Sequence, residues 1–220
     1  MRTLFFPALF CLLTASASAQ FVHPSRLATP GRNFAGAALG LDLGTTLNLR
    51  YGHTFRIAGQ PVLAGGELGF VAGSDQFDDG KAALYLGTSL RAARHWQLPL
   101  TIGAGTVFSR NKLFRGNTLE ASFGLQPGYY RNKWFAAADL QYHRLLLTRL
   151  HHTDYYREAY YEGAKDGWFR QSGGRFQAGF CGGISFGKHD LNLRAGMSLT
   201  HDFSPGLLPA YAVLEYNFWF

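Results

Sequence analysis

Leu208-Pro-Ala-Tyr-Ala-Val-Leu-Glu-Tyr-Asn-Phe-Trp-Phe220 decides the fold. Its even positions, Leu208, Ala210, Ala212, Leu214, Tyr216, Phe218 and Phe220, are all apolar or aromatic, and its odd positions include Glu215 and Asn217. A period of two is the mark of a β-strand with one apolar face. In a water-soluble sheet the last Phe would sit uncovered on an edge, which is costly. The pattern asks for apolar surroundings outside the sheet.

The other end agrees. Met1-Arg2 gives a short positive start, Leu4 to Leu13 is an apolar run broken by Pro7, and Ala17-Ser18-Ala19 offers a small-residue cleavage site before Gln20. Residues 1–19 are expected to be a secretory signal peptide. The apolar run of about ten residues is too short for a spanning helix, which needs about twenty. Cys11 lies inside that run without the small residues that precede a lipoprotein cleavage site, so a lipid-anchored reading is the weaker one.

Without the signal about 200 residues remain, enough for one domain. The 27 glycines and 15% aromatic residues suit many short strands joined by tight turns. Cys181 would then be the single cysteine, so no intrachain disulfide is expected. The formal charge is +7. A basic chain can bind nucleic acid, but a secreted one does not meet it, and anionic lipopolysaccharide is the better acidic neighbour.

From Phe34 onward the chain divides into ten alternating segments, roughly 34–43, 46–57, 61–73, 81–92, 97–109, 118–130, 133–147, 174–186, 189–201 and 208–220. In 189–201, Leu191, Leu193, Ala195, Met197 and Leu199 oppose Asn192, Arg194, Ser198 and Thr200. In 46–57, Leu47, Leu49, Tyr51, Phe55 and Ile57 oppose Asn48, Arg50, Thr54 and Arg56. No charge falls on an apolar face except near a segment end. On a lipid-facing wall a mid-membrane charge costs about 2–4 kcal/mol, so its absence is the expected selection. Connections of longer and shorter length alternate, except at the first hairpin. These features predict an all-β fold: a closed antiparallel up-and-down transmembrane β-barrel of about ten strands, with eight as the second choice. Residues 20–33 read as a periplasmic lead and 34–220 as the barrel, with one long extracellular loop at 148–173. A soluble β-sandwich or lipocalin-like barrel also alternates. Its water-facing side would be rich in Lys and Glu, whereas Lys here falls in predicted turns.

The polar phase gives the lumen: Asp42, Glu67, Glu120, Asp139 and Glu215 against Arg50, Arg56, Arg91, Arg175 and Arg194. In a narrow interior this balanced set predicts an ion-paired plug. A charge-lined pore for small solutes is the alternative. In the long loop, Tyr155, Tyr156, Tyr160, Tyr161, Trp168 and Phe169 are the recognition candidates, because exposed Tyr and Trp give large contact area at low entropic cost. The spacing of Tyr156 and Tyr160 allows a short helix. The bland reading is an extended hairpin whose aromatics rest on the outer leaflet. His151, His152, Asp154 and Glu158 match no metal signature, and the acidic loop 73–80 reads as a turn rather than a Ca²⁺ site. No cofactor is expected. His143, near Asp139 and Gln141, and His201 beside Asp202 and Ser204 are the only hints of catalysis. A hydroxyl–histidine–acid device needs hydrogen-bond proximity that a sequence does not show; the expectation is a non-enzymatic protein, with an outer-leaflet lipid-modifying enzyme centred on His143 as the lesser alternative.

The alternating strands, the signal and the closing Tyr216-Asn217-Phe218-Trp219-Phe220 together resemble a small bacterial outer-membrane β-barrel of the porin-like superfamily. The resemblance spans nearly the whole mature chain and is architectural. It implies integral residence in the outer membrane among its lipids and lipopolysaccharide. It also implies that the barrel assembly machinery reads Tyr216, Phe218 and Phe220, and it leaves an extracellular partner for loop 148–173 open. It names no activity. Trp219, on the inward phase, departs from the usual terminal pattern.

Overall fold

A computed structural model describes residues 22–41, 45–71, 78–171 and 173–220, with backbone alone at 206–208. The expected signal peptide, Asp42 and most of loop 73–80 lie outside these residues.

Twelve strands occur: β1 (Asn33–Leu41), β2 (Thr45–Ile57), β3 (Gln60–Val71), β4 (Asp79–Arg91), β5 (Trp96–Arg110), β6 (Phe114–Leu125), β7 (Gly128–Tyr130), β8 (Trp134–His152), β9 (Gly167–Arg170), β10 (Gly174–Phe186), β11 (His189–Thr200) and β12 (Pro205–Trp219). Each pairs antiparallel with its neighbours, β12 pairs with β1, and β8 pairs with β10, so the sheet closes on itself. Ten staves make the barrel. Closure matters because it leaves no sheet edge to template aggregation. β7 is the continuation of β6 beyond Gln126-Pro127: both pair with β5 on one side and β8 on the other. Pro127 lacks the N–H that a central ladder needs, so the stave breaks there. β9 pairs with the far end of β8, in line with β10.

The alternation read from the sequence becomes two walls. On β12, Tyr211, Val213, Glu215, Asn217 and Trp219 are buried, whereas Leu214, Tyr216, Phe218 and Phe220 are exposed. Trp219 thus points inward, on the phase its neighbours predict. Outside, Leu84 is 73% exposed and Phe180 79%; inside, Glu215 is 1% exposed. Aromatics gather at the end where β1 begins and β12 finishes. Tyr129 packs against Trp96 and Trp134, and His189 against Phe186, Tyr216 and Phe218.

Of the segment read as a periplasmic lead, residues 22–27 pack into the interior, and 28–32 are exposed. Helix α1 (Pro24–Leu27), N-capped by His23, packs into the barrel mouth at the end that carries Phe220. Val22 and Leu27 join Phe34, Leu63, Tyr85 and Trp219 in one buried apolar cluster. Arg26 pairs with Asp190 at 2.7 Å, and the Trp219 indole donates to the same carboxylate at 2.7 Å. Phe220 exchanges two backbone hydrogen bonds with Asn33, closing β12 on β1 at that rim.

Candidate functional site

Above α1 the lumen holds a chain of charge. Arg50 on β2 forms an ion pair with Glu215 on β12 at 3.1 Å. Glu215 also meets Arg194 on β11 at 3.4 Å, and Arg194 contacts Asp139 on β8 at 3.0 Å. Asp139 accepts further bonds from Gln126 (2.7 Å), Gln141 (3.0 Å) and Tyr211 (2.8 Å). All four charged residues are buried. Such charges persist away from water only when both partners and their remaining lone pairs are satisfied, and Asp139 meets that demand with four donors.

The sheet is built to let Tyr211 reach. Asp139, Gly179, Gly196 and Tyr211 share one register row across β8, β10, β11 and β12. The two middle positions are glycine, so the phenol lies over them. A Cβ on Gly179 would stand 2.8 Å from the Tyr211 oxygen, closer than side chains tolerate.

A second group continues the ring of charge. Lys81 on β4 pairs with Glu67 on β3, and Glu67 sits opposite Arg50 in the β2–β3 ladder. Glu120 on β6 is buried within electrostatic reach of Lys81 and Arg175. Lys81 corrects the expectation that lysines lie in turns. It occupies an inward position of β4, the parity shared with Arg91, and that parity would have found it. Asp190 was missed in the same way, on the inward parity of Asn192 and Arg194.

Not every expected lumen residue joins. Arg56 and Arg91 are exposed at the rim, and Arg56 donates to the Ala28 carbonyl at 3.4 Å. They have the inward parity, but their strands end there, so the side chains leave the interior. Asp42 lies outside the described residues.

The long loop is more ordered than expected. β8 runs on to His152, beyond the expected end near 147, and β9 returns along it, pairing Trp168 with Arg149. Between them α2 (Asp154–Ala159) is N-capped by Thr153, whose hydroxyl accepts from the Tyr156 N–H and also donates to Lys112 O at 2.7 Å. Asp166 clips the loop shut. It accepts from the His152 backbone N–H at 2.8 Å and from Arg157 at 2.6 Å, and it contacts the rings of His151 (2.6 Å) and His152 (3.0 Å). These bonds, led by the backbone N–H of His152, hold the Asp166 carboxyl well below the usual carboxylate range. Tyr155, Tyr160, Tyr161, Trp168 and Phe169 are exposed, and Tyr156 stacks on Tyr160.

His143 is buried between Ser122 and Arg175 in register, and neither of its ring nitrogens has a hydrogen-bond partner. It therefore has no engaged hydroxyl to activate. At the 201–204 turn, Asp202 is bonded by Thr200 and Ser204, which bring its carboxyl down to about 2. Among the described residues no His, Cys, Asp and Glu group is arranged to hold a metal ion.

No family model and no curated protein matches the chain. Among solved structures, the β-domain of the Bordetella autotransporter BrkA is similar to it, with 13% identity, 86% of this chain and 98% of that one covered, and a TM-score of 0.37. A bacterial polysaccharide outer-membrane secretin is similar over 91% of this chain and 100% of its own, at 8% identity and a TM-score of 0.27. Both likenesses are too distant to assign a family or an activity. What stands on the chain's own geometry is the architecture: a closed barrel of ten antiparallel staves, apolar outside and polar within.

Proposed function

We propose that the chain is an integral protein of the bacterial outer membrane that works through its surface rather than through its lumen. The observation that carries this is the pairing of an apolar outer wall with an interior that holds both α1 and a chain of buried ion pairs. Exposed apolar surface beyond a few hundred Å² marks a membrane or partner contact. Here it runs around the staves, with aromatics at one end, as a bilayer requires. Helix α1 packs in the mouth and the Arg50–Glu215–Arg194–Asp139 chain lies above it, which supports reading the lumen as closed. The clipped, aromatic β8–β9 hairpin is then the contact surface offered outside the cell. The reading is non-enzymatic, because His143 lacks a hydroxyl partner and Asp202 is engaged by its own turn.

Planar-bilayer recording of refolded protein tests the closed lumen. No conductance steps are expected, and regular steps would favour the narrow-channel reading instead. Replacing residues 153–166 by a two-residue turn tests the surface role. The expected result is a barrel that still shows heat-modifiable migration but has lost any surface contact.

A further inference from the structure

The outer wall carries exposed positive charge at the loop end. On β5 the outward positions run Trp96, Leu98, Leu100, Ile102, Ala104, Thr106 and Phe108, and then Arg110. At about 3.3 Å per residue and a tilt of 35–45°, the stretch from Trp96 to Phe108 rises about 30 Å, the depth of a bilayer core. Arg110 is the first outward residue past that belt. Arg115 on β6 lies directly opposite it. Arg149 on β8 is one outward position below His151, which faces Arg115. Arg170 on β9 is one outward position from Trp168, which faces Arg149.

All four arginines are exposed, and none pairs with a carboxylate among the described residues. Asp166, the acid that closes the loop, is taken by His151, His152 and Arg157. Like charges opposite each other in a ladder destabilise a sheet. Arg110 and Arg115 form such a pair, so this wall is more stable with an anion across it. The planar guanidinium fork suits phosphate oxygens. The strand alternation aims these side chains sideways, where a membrane lies, and not up into the loop crown. Trp168, 57% exposed among them, has the amphipathic character of an interfacial residue.

We infer that Arg110, Arg115, Arg149 and Arg170 form a site for the phosphate groups of lipid headgroups in the leaflet at the loop end. The site rests on the membrane reading above and names the lipid chemistry that this wall selects.

The test uses the full chain refolded in detergent. Bisphosphorylated lipid A, and the same glycolipid after removal of its phosphates, are titrated separately and bound lipid is read by native mass spectrometry. In parallel, the chain is inserted into phosphatidylcholine vesicles, with heat-modifiable migration as the readout. Binding of the phosphorylated lipid is expected to be at least about tenfold tighter than that of the stripped one, since each basic group near an anionic surface contributes severalfold. The triple variant Arg110→Gln, Arg115→Gln, Arg149→Gln should lose that preference. The control Arg91→Gln with Arg94→Gln, exposed at the opposite rim, should keep it. Equal binding of the two lipids, or a triple variant that binds like the parent, overturns the inference, as does inorganic phosphate binding as tightly as the lipid. If the chain inserts into vesicles but shows no phosphate preference, the inference alone falls. If it inserts into none, the membrane reading falls and takes the inference with it.

Discussion

Asp139 shows how much one side chain can be made to hold in a lumen. It is 0% exposed and gathers donors from β8, β11, β12 and the β6–β7 junction. Asp139→Ala takes one buried carboxylate from Arg194 and frees the Tyr211 and Gln126 donors. Removing one partner of a buried pair costs about 3–5 kcal/mol. Denaturant titration of the refolded barrel should show a loss of that size, and a loss under 1 kcal/mol would mean that water fills the gap. Asp166 makes the opposite case at the surface. Its carboxyl is held low in the folded chain, so its contribution is present above the ordinary carboxylate pKa of about 4 and is lost as pH falls below it. Limited proteolysis of the 153–166 loop should therefore be unchanged from pH 7 to pH 5 and should quicken below pH 4. Asp166→Asn should quicken it at every pH, with the barrel's migration unaltered.

At the scale of elements, the staves were legible and their interruptions were not. Each of the ten expected segments overlaps one stave, because a period of two fixes which face a residue takes. Phase says nothing of height, and this is why Arg56 and Arg91 were counted into an interior they only border. It also cannot foresee that β8 outruns its alternation to His152, since the bulge between Leu119 and Glu120 resets the register. Helix α1 was out of reach for a different reason. Four helical residues carry no periodic signal, and the partners that fix them, Asp190 and Trp219, lie more than 160 residues away. Its capping residue supplies a test. His23 stands edge-on to Tyr130 and Phe135, and burial lowers its pKa below 6.5, with Asp190 opposing that effect and Arg26 adding to it. A histidine held neutral binds fewer protons folded than unfolded. The stability of the docked α1 segment is then complete above about pH 6.5 and declines as pH falls below it. Protection factors over residues 22–31, with each exchange rate referred to the intrinsic rate at its own pH, should be higher at pH 7.5 than at pH 5, and His23→Gln should flatten that difference. Equal protection at both pH values in the parent would show that the ring is not the group that titrates.

For the whole molecule the deciding quantity is what surrounds the outer wall. A chain of net charge +7 with a mean hydropathy of −0.08 looks soluble by composition. The barrel resolves this by sorting: charges go to the lumen, the rims and the loop end, while Leu39, Leu68, Leu84, Ile102, Phe123, Phe180 and Leu193 stay outside. Leu84 lies in the middle of β4 among small outward neighbours, Gly66, Ala82 and Ala104. In water, Leu84→Lys would remove an exposed apolar side chain and leave stability within about 0.5 kcal/mol of the parent. In a bilayer the same change places a cation near mid-depth, at a cost of about 2–4 kcal/mol. Unfolding titrations in phosphatidylcholine vesicles should show that larger loss. The same substitution at Arg91, on the rim, gives the reference, because Arg91→Lys moves no charge into lipid. A Leu84→Lys barrel as stable as the Arg91→Lys one would mean that the outer wall faces something other than hydrocarbon, and the apolar belt would then need a protein partner to cover it.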